Sequence, residues 1–190
     1  MLLLKQLYKR IFYASKLFRC GVNFGKRSWI GPKAQIDRGK YIYLGEHVRI
    51  MEYSRLNCYD KYKKPKIEIG NNVLIGRNVT MFCSDSIKIG NDVMMASYIM
   101  ITDTNHGIEI GEVPFKEQKN VYKPVVIGNN VWIGEKVCIL PGVTIGDNCV
   151  IGTASVVTKN IPSNCMAVGN PARVIKKYDF EMNEWVKFDK

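Results

Sequence analysis

Residues 127–162 consist of six consecutive hexapeptides, IGNNVW, IGEKVC, ILPGVT, IGDNCV, IGTASV and VTKNIP. Each hexapeptide opens on an aliphatic residue, and these residues are Ile127, Ile133, Ile139, Ile145, Ile151 and Val157. A period of six fits neither the 3.6 residues of a helical turn nor the two-residue alternation of a long strand. A short strand followed by a turn does fit, with the aliphatic side chain pointing inward at each step. The Gly after the aliphatic residue, and the Asn or Asp residues after that, supply the turn chemistry.

The same register recurs upstream of this stretch. Segments of three hexapeptides, or 18 residues, occupy 69–86, 89–106, 127–144 and 145–162, and a looser version begins near Ile30. Three hexapeptides provide three faces, so one such segment makes a triangular coil. Stacked coils of this kind share a continuous aliphatic core. The sequence therefore predicts an all-β solenoid.

The composition is that of an ordinary globular protein. The 190 residues suffice for one domain with a short appendage, and 46% of them are hydrophobic. Modest Gly and Pro contents, 16 and 7 residues, argue against collagen-like and disordered chains. No apolar stretch reaches the ~20 residues that a membrane-spanning helix needs, so we do not expect an integral membrane protein.

The histidine and cysteine contents limit the metal and redox chemistry. His47 and His106 are the two histidines, so one chain cannot supply three His ligands, and we expect His47 to be a surface residue. The six cysteines include no C-x-x-C pair, which argues against a zinc or redox motif, and we expect Cys138 and Cys149 to be packing residues. No uninterrupted signal-peptide core is present, so we expect a cytoplasmic protein with reduced thiols.

The net charge of +11 is concentrated near the N terminus, where residues 1–27 hold seven Lys or Arg residues and no acid. Such a balance favours acidic partners. The apolar side chains of residues 1–19 fall at helical spacing, namely Leu4, Leu7, Ile11, Ala14 and Phe18. This predicted amphipathic helix either caps the open end of the solenoid or makes peripheral contact with the inner face of the membrane. We expect no nucleic-acid partner, because the charge lies in a short segment without a recognised binding motif.

A resemblance to the hexapeptide-repeat acyltransferases covers roughly residues 28–175. It rests on VWIGEKVCILPGVTIGDNCVIGTASVVTKNIP at 131–162, AVGNPARVIKK at 167–177 and DTNHG at 103–107. Within that family the chain is similar to sugar O-acetyltransferases of the galactoside and maltose type and to acetyltransferases of polysaccharide biosynthesis. The resemblance implies a left-handed parallel β-helix, a homotrimer with active sites between subunits, and acetyl-CoA as co-substrate. We expect no metal in the chemistry, since the γ-type carbonic anhydrases of this fold need three zinc histidines.

Residues 107–124 (GIEIGEVPFKEQKNVYKP) interrupt the period between complete coils, and a loop this long in a compact solenoid is usually functional. His106 stands at the mouth of this excursion. Its imidazole can accept a proton from an attacking hydroxyl or amine, and the family places its catalytic base just before a similar excursion. We therefore predict His106 as the general base, with Asp103 or Asn105 orienting the ring. In the alternative interpretation, His106 only anchors the loop to the backbone.

The resemblance also implies a coenzyme A site on the C-terminal coils. The residues that match the family there are Trp132, Thr153, Ala154, Thr158, Lys159, Arg173 and Lys176. The small residues leave room for the pantetheine arm, and the basic residues suit the pyrophosphate and 3′-phosphate of CoA. Trp132 either stacks between coils or forms a wall of the acyl pocket. The alternative interpretation is a solvated basic C terminus.

The acceptor is predicted as a class. Residues 81–85 (MFCSD) replace the Asn-containing stretch with which relatives hold a small glycoside, although Asp85 can still bond a hydroxyl. Residues 1–19 stand in place of the helical N-terminal domain of those relatives, so we expect that domain to be absent. We expect O-acetylation of a sugar or a cell-envelope saccharide, either a small molecule or lipid-linked. Two alternatives are N-acetylation of an amino sugar nucleotide and a non-catalytic β-helix that serves as a scaffold or binds lipid.

Three regions are therefore predicted along the chain. Residues 1–27 form the basic amphipathic segment, residues 28–175 the β-helix domain, and residues 176–190 a C-terminal tail. The tail carries four aromatic residues, Tyr178, Phe180, Trp185 and Phe188. We expect it to dock, either on its own chain or on a neighbouring subunit.

Overall fold

The structure, a computed structural model, describes residues 21–59 and 64–188. Its strands are β1 (Asn23–Phe24), β2 (Trp29–Ile30), β3 (Gln35–Asp37), β4 (Ile42–Leu44), β5 (Arg49–Ile50), β6 (Arg55–Cys58), β7 (Lys66–Ile69), β8 (Leu74–Ile75), β9 (Thr80–Cys83), β10 (Ser86–Ile89), β11 (Met94–Met95), β12 (Met100–Thr102), β13 (Thr104–Asn105), β14 (Val121–Tyr122), β15 (Val125–Ile127), β16 (Trp132–Ile133), β17 (Cys138–Ile139), β18 (Thr144–Ile145), β19 (Val150–Ile151), β20 (Val156–Val157), β21 (Cys165–Val168), β22 (Arg173–Asp179) and β23 (Glu184–Lys187). Short 3-10 helices span Gly39–Tyr41 and Phe115–Glu117. The helix predicted for residues 1–19 lies outside the described residues. Among those described, no helix has the length and apolarity needed to cross a bilayer.

Successive strands fall in turn into three parallel sheets. Sheet A has the order β1-β4-β7-β10-β15-β18, sheet B begins β2-β5-β8-β11-β16-β19-β21, and sheet C has the order β20-β17-β12-β9-β6-β3. Each coil therefore contributes one strand to each sheet, and the chain winds into a triangular prism, the parallel β-helix that the six-residue period predicts. We call the three edges the A–B, B–C and C–A corners. In the coil that begins at Val125 they are residues 128–130, 134–136 and 140–142.

The interior is filled by the aliphatic residues that open the hexapeptides. Ile127, Ile133, Ile139, Ile145, Ile151 and Val157 are each at most 1% exposed. They stack in register, because Ile127 pairs with Ile145 in sheet A and Ile133 pairs with Ile151 in sheet B. Burial of each such side chain contributes about 1.5–3 kcal/mol to the free energy of unfolding. The prediction of a continuous aliphatic core is confirmed.

A column of side-chain hydrogen bonds runs along the A–B corner. The Asn91 Oδ1 accepts a bond of 2.8 Å from the Asn71 backbone N–H, and the Asn129 Oδ1 accepts one of 2.9 Å from that of Asn91. The Asp147 Oδ1 continues the column to the Asn129 N–H at 2.6 Å. The residue after each of these turns the chain in the left-handed region, as at Asn72, Asp92, Asn130 and Asn148. Asn and Asp tolerate that conformation better than other residues with a side chain.

The outermost coils differ from the repeat. At the N-terminal end, β1 already pairs with β4 in sheet A, within the stretch predicted as the basic segment. At the C-terminal end, β22 pairs antiparallel with β21 and β23 antiparallel with β22, so a hairpin extends sheet B. The Tyr178 ring packs edge-on against Phe180 and Trp185, with centroid distances of 5.2 and 5.4 Å. The tail therefore docks on its own chain.

The glycine after the aliphatic residue is required by the stacking distance between coils. A Cβ at Gly90 would lie 2.6 Å from the Gly128 carbonyl oxygen and 2.7 Å from the Asn129 Oδ1. Both of those atoms belong to the next coil, and the Asn129 Oδ1 is also part of the hydrogen-bonded column. A side chain at Gly90 would therefore force two coils apart.

We expect Gly90→Ala to lower the free energy of unfolding by about 1–3 kcal/mol, because it overpacks a rigid corner. Thermal unfolding followed by circular dichroism measures the loss. Gly111→Ala is the matched control, since a Cβ at Gly111 meets no atom within 4 Å. Equal melting temperatures for the two variants would contradict this account of the corner.

Candidate active site

The excursion leaves the solenoid at the C–A corner. Strands β13 and β14 pair antiparallel at its base, with Thr104 opposite Tyr122 and Asn105 opposite Val121. His106 is the first residue after β13 and is exposed to solvent. It lines an open cavity of about 980 Å³ formed by the excursion, together with Asn105 and Lys123. The predicted base therefore lies at the mouth of a cavity of substrate size.

Gln118, which the sequence pattern does not single out, joins the two sides of the excursion by hydrogen bonds. The Gln118 side chain accepts a hydrogen bond from the Glu109 backbone N–H at 2.9 Å. It also donates to the carbonyl oxygens of Glu109 and Val113, at 2.8 and 2.9 Å. At the base, the Lys123 N–H donates to the Asp103 carbonyl, and the Lys123 carbonyl accepts from Gly142. No periodicity marks Gln118 within a segment that lacks the repeat.

Asp103, three residues before His106, is fully buried. Its carboxylate accepts hydrogen bonds from the backbone N–H groups of Ser84 and Asp85, at 2.8 to 3.1 Å, and from the Thr104 hydroxyl at 2.7 Å. These bonds tie the corner of the His106 coil to the corner of the coil below. Of the two residues predicted to orient the imidazole, Asp103 thus points its carboxylate into the solenoid, and Asn105 lies beside His106 at the cavity.

The buried Cys83 thiol lies near the Asp103 carboxylate on the inner side of the solenoid. A hydrogen bond with Cys58 and burial raise the pKa of the Cys83 thiol, and the nearby Asp103 carboxylate raises it further. Cys83 and Cys58 stack as register partners in sheet C, and both are buried. Burial likewise raises the pKa of the Cys149 thiol. The placement of Cys149 in the core agrees with its predicted packing role, and Cys138 is partly exposed on the outer face of sheet C.

Asp85 occupies the C–A corner one coil below the excursion. Phe82 in β9 pairs with Thr102 in β12, so the residues after these two strands stack on one another. Asp85 is half-buried, and its backbone N–H is held by Asp103. The structure thus brings Asp85, Asp103 and His106 to one corner. The acceptor role of Asp85 stays a prediction.

The residues predicted to bind coenzyme A lie on two sides of strand β20. Thr153 and Ala154 form the B–C corner of the last full coil, where Ala154 adopts a left-handed conformation with φ of 59°. The next residue, Ser155, accepts a bond of 3.0 Å from the Gly169 N–H, which brings the segment before Arg173 to the same corner. Thr158 and Lys159 form the C–A corner on the other side of β20.

The remaining CoA candidates lie on sheet B. Lys176 is exposed on β22, opposite Met166 and Lys187. Trp132 is half-exposed on the outer face, where it stacks in register between Met94 and Val150. Its ring borders two surface depressions, one toward the B–C corner and one toward the C-terminal hairpin. The stacking between coils is observed, and a role in the acyl pocket stays a prediction.

Within one chain, sheet C separates His106 from the B–C corner. His106 and Lys159 share the C–A corner but lie two coils apart, since β12, β17 and β20 stack in that order. His47 sits at the A–B corner, exposed, in a left-handed conformation, as expected of a surface residue. Among the residues that the structure describes, no group of three or more His, Cys, Asp or Glu side chains is arranged to hold a metal ion.

Two family models match the chain. Residues 124–159 match the bacterial transferase hexapeptide (six repeats), and residues 66–103 match the hexapeptide repeat of succinyl-transferase. A putative lipopolysaccharide biosynthesis O-acetyl transferase, WbbJ of Escherichia coli, is 37% identical over 135 residues. That alignment covers 67% of this chain and 69% of the relative.

Solved structures share the architecture. A galactoside acetyltransferase in complex with coenzyme A superposes with a TM-score of 0.60 at 29% identity, over 88% of this chain and 72% of that one. An N-acyltransferase from Bacillus cereus, AntD, superposes with a TM-score of 0.76 at 23% identity, over 88% and 91% of the two chains. The second likeness concerns the fold alone. From the repeat, the coil architecture and the identity to WbbJ, we conclude that the chain belongs to the hexapeptide-repeat acyltransferase family and has its left-handed parallel β-helix.

Proposed function

We propose that this acyltransferase moves an acetyl group from acetyl-CoA to a hydroxyl of a saccharide acceptor, free or lipid-linked, with His106 as the general base. The observation that carries the proposal is the position of His106. It is exposed, it lines the 980 Å³ cavity, and it directly follows β13, which pairs with β14 at the base of the excursion. A hydroxyl acceptor is favoured because the WbbJ relative is named an O-acetyl transferase of lipopolysaccharide biosynthesis. A saccharide is favoured by that name and by the name of the galactoside acetyltransferase.

The donor would lie on the last coil, from the B–C corner with Thr153 and Ala154 across strand β20 to Lys159 at the C–A corner. Thr153 and Ala154 are small and exposed there, which leaves space for a pantetheine arm. Lys159, Arg173 and Lys176 are also exposed, and none of them takes part in an ion pair within the described part of the chain. Free cations of this kind suit the pyrophosphate and the 3′-phosphate of CoA. The residues present therefore fit the co-substrate.

The complete site would form between two copies of the chain in a homotrimer. Sheet C stands between His106 and the B–C corner of the same chain, so His106 of one copy would meet the donor site of the next. The excursion supports this arrangement, because its apolar side chains are exposed in the single chain. Ile108, Ile110, Val113 and Phe115 are 79, 100, 52 and 58% exposed. Apolar side chains grouped in this way need a surface to cover them.

The reaction would proceed by direct transfer. The His106 imidazole takes the proton of the acceptor hydroxyl as the hydroxyl oxygen attacks the thioester carbonyl carbon. Backbone N–H donors stabilise the negative charge on the carbonyl oxygen of the tetrahedral intermediate. The C–S bond then breaks, the imidazolium returns its proton to the CoA thiolate, and the products are the acetyl ester and free CoA.

Asp103 would act as a positioning residue. It does not reach the cavity, but its bonds to the Ser84 and Asp85 N–H groups fix the corner from which the excursion rises. The same bonds fix the backbone of Asp85, whose carboxylate is the predicted partner of an acceptor hydroxyl. Asn105, at the cavity beside His106, is the residue proposed to orient the imidazole.

We expect His106→Ala to lower kcat by about 10²–10⁴-fold, because proton transfer from the acceptor loses its base. Release of CoA thiol, measured with a chromogenic disulfide over a panel of hydroxyl and amino sugars, reports the rate and the acceptor class. His47→Ala is the matched control and should retain the wild-type rate. A fully active His106→Ala enzyme would rule out the assigned base, and turnover confined to amino sugars would replace O-acetylation by N-acetylation.

Donor binding can be measured without an acceptor. Loss of a charge-assisted hydrogen bond to a phosphate should weaken acetyl-CoA binding by about tenfold for Lys159→Ala and for Arg173→Ala. Isothermal titration calorimetry gives the dissociation constants. Lys88→Ala, an exposed lysine on the outer face of sheet A, is the control. Unchanged affinity in both donor-site variants would move the donor away from these coils.

A mixed oligomer tests whether the site spans two chains. His106→Ala chains keep the donor site, and Lys159→Ala/Arg173→Ala chains keep the base. Each variant alone is inactive at low acetyl-CoA. Co-refolded in equal amounts, they should recover about a quarter of wild-type activity, since that fraction of interfaces in a random cyclic trimer pairs two intact halves. If no activity returns although mixed trimers are seen by mass spectrometry, each site lies within one chain.

A further inference from the structure

A groove of about 420 Å³ separates the C-terminal hairpin from the outer face of sheet B. One wall is the half-exposed ring of Trp132. The opposite wall belongs to the hairpin and carries Tyr178, Phe180 and Trp185. The edge-on contacts of Tyr178 hold the other two rings in place, while Phe180 is still 70% exposed. We call this surface the hairpin groove.

A second column of side chains at the A–B corner, Asn130, Asn148 and Asn164, forms the polar side of the hairpin groove. The Asn130 Nδ2 donates to the Asn148 Oδ1 at 2.8 Å, and the Asn148 Nδ2 donates to the Asn164 Oδ1 at 2.9 Å. Each amide has two N–H donors and two acceptor lone pairs, so these bonds leave at least one donor and one acceptor position per residue for a ligand. Among the described residues that line the groove, Asp92 is the one charged side chain.

This chemistry selects a neutral ligand with apolar faces and many hydroxyl groups. A phosphate or carboxylate would meet no cation here and would be repelled by Asp92. A purely apolar ligand would leave the amides without partners, which is costly on burial. A pyranose ring satisfies both sides, since its C–H face packs on aromatic rings and its hydroxyls exchange hydrogen bonds with paired amides.

We propose that the hairpin groove is a second saccharide-binding site, which holds neutral sugar residues of a long glycan acceptor away from the reacting hydroxyl. The groove is at the A–B corner, and His106 is at the C–A corner, so sheet A lies between them. Strand β15 there has three residues, about 10 Å at the usual rise. A glycan of several residues is long enough to cross that width.

The proposed trimer would leave this groove accessible. If the C–A corner of one copy meets the B–C corner of the next, sheet C faces the threefold axis and the A–B corner points outward. The role of the groove in holding an acceptor rests on the proposed function, whereas the binding of a neutral glycan does not. A direct binding measurement without acetyl-CoA separates the two.

The experiment uses full-length His106→Ala protein on an array of neutral bacterial and plant oligosaccharides, without acetyl-CoA. The best-bound oligosaccharide is then titrated in solution and followed by tryptophan fluorescence and saturation-transfer NMR. We expect Phe180→Ala and Trp185→Ala each to weaken binding by about fivefold or more, since each removes one stacking ring. Phe188→Ala, on the same hairpin but outside the groove, should bind as the parent does. Circular dichroism checks that every variant is folded.

The catalytic readout is separate. With His106 restored, both groove variants should keep the wild-type kcat and acetyl-CoA affinity, and raise KM only for long acceptors. Retention of no neutral glycan on the array overturns the proposal. So does glycan binding that persists in both groove variants, or a change in oligomeric state of the two variants, which would make the groove a contact between copies.

Discussion

A hydrogen bond that passes from each coil to the next at the A–B corner is the constraint on which the structure depends. The backbone N–H of a corner residue has no partner within its own turn, and a side-chain oxygen from the adjacent coil accepts it, as Asn91 does for Asn71. The bond forms only if neighbouring coils approach closely enough that Gly90 has no space for a Cβ. Glycine, asparagine and the left-handed backbone thus depend on one another, and the six-residue period follows from all three.

The same constraint explains where the candidate site lies. The A–B and B–C corners are stacked turns of constant length with one left-handed residue per coil, for example Asn130 and Lys136. Within the described residues, the C–A turns after β9, β12 and β20 lack that residue, so the column of left-handed residues is not continuous at this corner and an insertion there does not interrupt one. The 107–124 excursion leaves from this corner, and Asp103 replaces the missing corner bonds by accepting the N–H groups of Ser84 and Asp85. The buried Asp103 carboxylate therefore stabilises the corner at which the excursion replaces the regular turn.

The repeat made the solenoid, its coil boundaries and its buried positions predictable, because Ile127 and its equivalents each report a local distance of six residues. It also located His106, since the excursion appears as a break in an otherwise regular pattern. Asp103 and Gln118 were not assigned their roles, because both act through backbone groups that are distant or irregular in sequence. The hairpin of β22 and β23 was foreseen only as a tail that docks, since its aromatic residues follow no repeat.

The hairpin that begins at Arg173 changes how the C-terminal end of the solenoid could meet another molecule. A β-helix adds coils by offering a parallel strand edge, and such an edge can in principle recruit another molecule end to end. In sheet B the edge beyond β21 is taken by an antiparallel strand, and β23 repeats the reversal. The outer edge of sheet B is therefore β23, two strands beyond β21, whereas sheets A and C end at β18 and β20. A coil of a second chain could not pair with all three edges at once, so the hairpin hinders end-to-end stacking of chains at this end.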